Sequence, residues 1–452
     1  MSEEMPDVLS EIRQGAAPKV KVAITDIDGI LRGKYLHRDK FLSAVTSGFG
    51  FCNVVFGWDA ADVCYENATY TGWHTGYPDA LARVDASTAR RVPWDGGVPF
   101  FLADFEDGDG SPLPACPRGL LKRVLDRARG LGFTAKCGLE FEWFNFRETA
   151  QSLADKKYVE PAPMTPGMFG YSILRMGQNL PFFNALMDEL ASFRVPLEGL
   201  HTETGPGVLE AALLYADALE AADRAVLFKS AAKEIGQRFG IMPSFMAKWS
   251  DKLPGCSGHT HLSLWKDGEN AFFDASHPDK MSATMKSFVA GLLRLLPEFL
   301  PLFAPTINSY KRLVDGYWAP TKPTWGIDNR TVAARVIPGS AKSTRIEFRV
   351  PGSDINPYLA VAGAVAAGLW GVEQKLELTE PPVRGSAYTE SSVARLPRNL
   401  LEATQKMEQS GAARELLGDA FVDHFASTRH WEWQKFQDAV TDWETRRYFE
   451  II

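Results

Sequence analysis

Cysteine is scarce in this chain of 452 residues: Cys52, Cys64, Cys116, Cys137 and Cys256 are scattered, odd in number and form no C-x-x-C pair. A disulfide framework and a zinc ribbon are thereby excluded, and a reducing compartment fits. Basic residues are not in excess. A formal charge of -7 and a pI near 5.7 argue against a binder of nucleic acid or of anionic membranes. Long hydrophobic runs are missing too. Phe288 to Phe303 is broken by Arg294, Pro297, Glu298 and Pro301, and Ala360 to Val372 falls short of the ~20 residues that a membrane span needs. Both read as buried helices. The acidic start, Met1-Ser-Glu-Glu-Met-Pro-Asp7, has no apolar stretch of the signal-peptide kind, so a cytoplasmic protein is expected. No internal repeat or low-complexity tract occurs.

What is present is an ordinary globular composition, 45% hydrophobic and 23% charged, long enough for two domains and a large core. Lys19 to Leu36 predicts a strand, a hairpin and a second strand. Within it, Gly29-x-x-x-Gly33-Lys34 is not a phosphate loop: the spacing is one residue short, no Ser or Thr follows and no helix begins there. A short helix is expected over 37–48, and strands over 51–56, 82–84 and 100–105. The turn formers of 107–114 then mark a linker. The first ~110 residues thus read as a small α+β unit. Beyond them, Pro117 to Leu131 predicts an amphipathic helix and Val195 to Leu200 a strand. Ala211 to Phe239 predicts one long helix, with strands at 257–265, 331–337 and 344–350 and a single C-terminal helix from Ser427 to Tyr448.

The chemistry centres on Cys137-Gly-Leu-Glu140-Phe-Glu142-Trp-Phe-Asn-Phe146. At strand period, Glu140 and Glu142 share one face while Leu139, Phe141 and Trp143 take the other. Two carboxylates a pleat apart repel unless a cation sits between them. Alone, this could be a solvated acidic face. Three further stretches bring matching groups: His201-Thr-Glu203 with Glu210, Gly258-His259-Thr-His261, and Arg345-Ile-Glu347-Phe-Arg349. Five carboxylates (Glu140, Glu142, Glu203, Glu210, Glu347) and the His259 imidazole suit Mg²⁺ or Mn²⁺ better than zinc or copper, and are too many for one ion. Arg312, Arg330, Arg335, Lys342, Arg345 and Arg349 crowd the segment that carries Glu347. Alternating charge on one strand face makes sense where metal ions and phosphates interleave. Multi-metal phosphoryl transfer is the reading of the residues themselves.

These stretches, in this order, resemble the glutamine synthetase family. Asn308-Ser-Tyr-Lys-Arg312, Asn329-Arg330, Arg335-Val-Ile-Pro338 and Asn356-Pro-Tyr-Leu359 add to the likeness, which spans nearly the whole chain. The resemblance implies an α+β fold: a β-grasp N-terminal domain over residues 1–112, then a catalytic domain over 113–452 with a curved sheet backed by helices. It implies self-association into stacked rings (a dodecamer), with each active site between two subunits. It further implies ATP and Mg²⁺ (or Mn²⁺) as cofactors, and glutamate and a small amine as substrates joined through a γ-glutamyl phosphate. Glu142, Glu203 and Glu210 then resemble the ligands of one metal, and Glu140, His259 and Glu347 those of the other. Glu198, Tyr215, His261, Ser263, Lys342 and Arg345 resemble nucleotide contacts. Arg312 and Arg349 resemble the contacts of the acid and the transferred phosphoryl group, Arg330 and Arg335 a phosphate-holding pair, and Gly255 lies in the glutamate loop.

Departures from the family pattern bear on the substrate. The flap normally reads Gly-Tyr-Glu-Ala-Pro, its Glu holding ammonium and accepting its proton; here it is Gly316-Tyr317-Trp318-Ala319-Pro320. Pro254 stands where an Asn usually precedes the loop glycine, Gly385-Ser-Ala-Tyr388 replaces the Asn-Leu-Tyr adenylylation motif, and Trp58-Asp59-Ala-Ala-Asp62 replaces Asp-Gly-Ser-Ser, with Asp59 expected to serve a neighbouring subunit's site. A Trp in place of an acid disfavours ammonium and favours an amine with a carbon substituent, through burial and cation–π contact. An ammonium-using glutamine synthetase, and a non-catalytic protein of the same fold, are the alternatives.

Overall fold

A computed structural model describes residues 8–15 and 17–452. After a short helical segment at Val8–Arg13 come strand β1 (Lys19–Thr25), β2 (Leu31–His37), helix α1 (Arg38–Ser47), β3 (Phe49–Cys52), β4 (Asp79–Val84), β5 (Arg90–Val92) and β6 (Val98–Glu106). They form a mixed sheet in the order β2-β1-β6-β4-β3, with β5 also on β6; β1 and β6 run parallel. Strand alternation explains its place in the molecule. Phe101, Ala103 and Phe105 face a small core with Phe41 of α1, while Val98, Phe100 and Leu102 face the large core of the rest of the chain. The expected strand over 51–56 ends at Cys52, and Asn53–Phe56 closes into a 3₁₀ turn.

Helix α2 (Pro117–Gly130) leads into β7 (Thr134–Phe146), then α3 (Leu180–Ser192), β8 (Leu197–Thr202), β9 (Val208–Leu213), α4 (Ala218–Arg238) and β10 (Gly258–Lys266). After these come α5 (Ala283–Phe303), the single turn α6 (Ser309–Arg312), β11 (Trp325–Ile327), β12 (Ala334–Ile337), β13 (Arg345–Phe348) and α7 (Pro357–Glu373). The large sheet runs β11-β12-β13-β10-β7-β9-β8, with short strands Ala216–Asp217, Met242–Ser244 and Glu269–Asn270 at its margins. One face is packed and the other polar, the usual state of a largely antiparallel sheet, in which β11 and β12 run parallel. On the packed face Leu139, Phe141 and Trp143 are fully buried, and Trp143 meets Phe228 of α4 edge-on at 5.4 Å. The two apolar runs are the buried helices α5 and α7. They cross at glycines: a Cβ on Gly371 would lie 2.2 Å from the Ser287 carbonyl oxygen. Among the described residues no helix is long and apolar enough to cross a membrane.

Two helical expectations need correction. The long helix over 211–239 starts only at Ala218, because Ala211 and Ala212 continue the ladder with β7, Leu213 pairs with β8, and Ala216–Asp217 returns to β7 as a short strand. The run Ala-Ala-Leu-Leu is apolar at either period, so pattern alone does not separate strand from helix there. The single C-terminal helix is two, α8 (Asp419–Asp438) and α9 (Asp442–Tyr448), the second started by a Thr441–Glu444 capping box. Trp431 on α8 is buried, whereas Trp443 on α9 is 57% exposed.

Buried polar links tie the first sheet to the rest. Arg118 donates to Asp223 through Nε at 2.8 Å and Nη2 at 2.9 Å, to Asp104 at 2.8 Å and to Asp85 at 2.9 Å. Asn356, which caps α7, donates to the carbonyls of Asp26 and Ile27 at 3.1 Å.

Candidate active site

Register assembles the polar face. Across the antiparallel ladders Glu142 lies opposite Glu210, Glu210 opposite His201, His259 opposite Glu140, His261 opposite Glu347, and Arg335 opposite Glu347. Cross-strand partners share a face, so groups from five stretches of sequence meet on one patch of sheet. His259 Nδ1 is 3.0 Å from Glu140 Oε1 and 3.3 Å from Glu347 Oε1, and His261 Nε2 is 3.5 Å from Glu140 Oε2. His201 lies 3.8 Å from Glu203 and 3.9 Å from Glu210. Two trios, Glu140/His261/Glu347 and His201/Glu203/Glu210, each offer ligand atoms within 4.8 Å of one another. Of the six expected metal ligands, Glu140, Glu347, Glu203 and Glu210 belong to these trios, His259 lies against Glu140 and Glu347, and Glu142 lies opposite Glu210; the imidazole of the first trio is that of His261. His201, which the sequence reading left without a role, joins them; its signal was its place two residues before Glu203. Glu142 is partly engaged, since its Oε2 accepts from the Ser257 amide at 2.6 Å and hydroxyl at 2.8 Å.

Crowded carboxylates and neighbouring imidazoles perturb one another on this patch. Burial, with repulsion from Glu140 and Glu142, pushes the Glu210 carboxyl up to about 11. Against the cost of burial, His259 and His261 hold Glu140 well below the usual carboxylate range. Glu347 is likewise held at about 2 against burial, by His259, Arg349 and His261. Burial and Arg349 lower His259, favouring the neutral imidazole that binds metal. Its Nε2 is buried without a hydrogen-bond partner. Divalent cations fit this donor set of carboxylates and imidazoles.

Beside the carboxylates opens a cleft of about 280 Å³. Glu198, Tyr215, His261, Ser263, Lys342 and Arg345 all line it, joined by Lys136, which lies on the same face of β7 as Glu140 and was not picked out from sequence. Arg345 Nε donates to His261 Nδ1 at 3.2 Å, linking the cleft to the acidic patch.

Arg335 donates to Glu347 Oε2 at 2.6 Å, and Arg349 pairs with Glu347 Oε1. Arg312 is buried and donates to the carbonyl of Val350 at 2.8 Å. Gly255 lies hard against it: a Cβ there would be 2.8 Å from Arg312 Cγ and 2.5 Å from the Ala247 carbonyl oxygen. Arg330 and Trp318 line a second cavity, of about 580 Å³. Trp318 is 61% exposed and has φ +61°, a left-handed backbone uncommon for a bulky residue. Asp315 fastens the flap beneath it, accepting from Thr321 and from Arg395 at 2.6 Å. Asp59 stands apart from these groups. Its carboxylate accepts from the amides of Ala61 and Val63 and from Trp431 Nε1 at 2.9 Å, all within its own chain.

The glutamine synthetase catalytic-domain family matches residues 114–448. The chain belongs to that family. The chain is similar, at 56% identity over 98% of its own length and 86% of the relative, to type-1 glutamine synthetase 2 of Dictyostelium discoideum. It is 41% identical, over 97% and 94% of the two chains, to gamma-glutamylethanolamide synthetase GlnA4 of Streptomyces coelicolor. A solved structure of GmaS in complex with ADP superposes with a TM-score of 0.85 at 29% identity, covering 99% of this chain and all of that one. The large curved sheet with its helices is thus the glutamine synthetase catalytic fold. Members of the family are ligases that use ATP and a divalent metal, and the acidic patch has the side chains to hold such ions.

Proposed function

We propose that this glutamine synthetase-family ligase joins glutamate to an organic primary amine at the expense of ATP, through a γ-glutamyl phosphate. Trp318, on the flap where the family pattern has an acid, carries the reading. A carboxylate is unreactive toward amines because oxide is a poor leaving group; phosphorylation supplies a good one. In this reading the cleft bearing Tyr215, Ser263, Lys342 and Arg345 receives the nucleotide. Ions held by Glu140, His259 and Glu347, and by Glu142, Glu203 and Glu210, would supply positive charge to the transferring phosphoryl group. Arg312 and Arg349 orient the acid's carboxylates, and Arg330 and Arg335 meet the phosphate as charge builds on it. Trp318 offers an incoming amine an aromatic face instead of a carboxylate.

The similarity to a gamma-glutamylethanolamide synthetase supports an organic acceptor. Ammonium is the second reading, favoured by the similarity to a type-1 glutamine synthetase. We further assign residues 1–112 to a β-grasp domain, 113–452 to the catalytic domain, and the assembly to stacked rings with sites between subunits. Asp59 would then act on a neighbour only after leaving its present hydrogen bonds. A phosphate-release screen with glutamate, Mg²⁺·ATP and a panel of amines tests the function. Turnover with primary amines is expected. Turnover with ammonium alone would return the enzyme to glutamine synthesis, and none with any amine would leave the fold without this chemistry.

A further inference from the structure

Tyr388 carries a phenol that the scheme above does not use. It sits in a short turn, Ala387–Thr389, fastened to both flanks of the site. On the flap side, Lys322 Nζ donates to the Tyr388 carbonyl at 3.0 Å and also bonds the Glu390 carbonyl. On the other side, Asn329 Nδ2 donates to the Gly385 carbonyl at 2.8 Å, and the Ala387 amide donates to Thr331 Oγ1 at 2.9 Å. Asn329 and Thr331 flank Arg330, so the turn is fixed relative to flap and arginines together. The phenol oxygen is nonetheless buried and has no hydrogen-bond partner. A fixed, buried and unmatched hydroxyl is costly unless a partner arrives.

Its surroundings say what that partner is. The charges acting on it are those of Arg349, Asp315 and Arg312, and the Trp318 amide lies beside it, short of hydrogen-bonding geometry. Burial keeps the group protonated, so it has one O–H to give and lone pairs to receive. Two guanidiniums whose fields reach it call for an anion, and a phenol O–H adds a third donor to a carboxylate.

We propose that Tyr388 is a substrate-binding residue coupling acid recognition to the flap: its O–H donates to the carboxylate held by Arg312 and Arg349, while its oxygen accepts the Trp318 amide. The proposal rests on the ligase reading for the identity of the acid. It gives the flap a reason to settle over the site only when the acid is in place.

Tyr388→Phe removes the hydroxyl and keeps the ring. Calorimetric titration of L-glutamate into the full-length protein with ADP and Mg²⁺ present should show binding weakened about tenfold to a hundredfold. The KM for glutamate should rise in parallel, with a smaller change in kcat. Hydrogen exchange supplies a readout that simple packing would not move: glutamate should protect the amides of Gly316 to Ala319 in the wild type and leave them unprotected in the variant. Unchanged glutamate affinity and flap protection in a variant of a working wild-type ligase would overturn the role of Tyr388 alone. A wild type that neither binds nor turns over glutamate would overturn the ligase reading, and this proposal with it.

Discussion

Glu210→Gln separates a metal ligand from a structural carboxyl, because the two roles predict opposite signs. In the ion-free protein Glu210 is crowded by Glu140, Glu142 and Glu203 and titrates at about 11. Its folded value lies far above the ordinary carboxyl value near 4.5, so at pH 7 folding requires it to take up a proton. At 1.36 kcal/mol per unit over the interval from 4.5 to 7, that costs about 3 kcal/mol. Glutamine keeps the shape without the cost. Glu210→Gln should therefore stabilise the protein in EDTA by about 1 to 3 kcal/mol. With Mg²⁺ the order should change. A site filled at a hundred times its dissociation constant stabilises the wild type by about 2.7 kcal/mol, and the variant should lose most of that increment along with phosphate release. Urea unfolding of both proteins, with EDTA and with saturating Mg²⁺, reads all four values. A variant that is destabilised in EDTA and keeps the full Mg²⁺ increment would refute the metal role of Glu210.

Other parts of the structure make independent predictions. Arg118→Met strands the buried carboxylates of Asp104 and Asp223 and should lower unfolding free energy by about 3 to 5 kcal/mol; a loss below ~1 kcal/mol would mean that the hub adds little to domain docking. His424 is buried between Phe56 and Tyr70, and burial, with Arg429, depresses it to about 4. The unfolded chain takes up that proton below about 6.5 while the folded one refuses it until about 4. Its contribution is therefore complete above pH 6.5 and lost as pH falls toward 4, by up to about 3 kcal/mol. His424→Phe should flatten the melting temperature over that window, and an equally steep decline would place the acid sensitivity elsewhere.

Much of the site was legible because strand alternation and a charge are both visible in sequence. Glu140/Glu142, His259/His261 and Arg345/Glu347/Arg349 each declare a face by spacing alone. Register was not legible. Nothing in the spacing says that His201 would lie opposite Glu210, or that Lys136 would turn into the cleft with Ser263. The mistaken helix over 211–217 failed for the reason that it is apolar at either period, and only pairing with β7 decides it. The broken C-terminal helix was readable in principle, since Thr441-x-x-Glu444 is a start signal inside the presumed helix. Tyr388 could be noted only as a departure from a motif; that its hydroxyl is buried and unmatched is a fact of tertiary structure.

The central claim, that Trp318 fits this ligase to an organic amine, is tested most directly by comparing kcat/KM for ammonium with that for a series of primary alkylamines. Losing a carboxylate that holds ammonium and takes its proton should depress ammonium turnover by about 10² to 10⁴-fold. An alkyl chain packed on Trp318 regains ~0.8 kcal/mol per CH₂, so two or three methylenes restore about one to two orders of magnitude. Primary amines should therefore surpass ammonium by a margin that grows over the first few carbons, and Trp318→Glu should reverse the order. Equal or better kcat/KM for ammonium in the wild type would contradict the account.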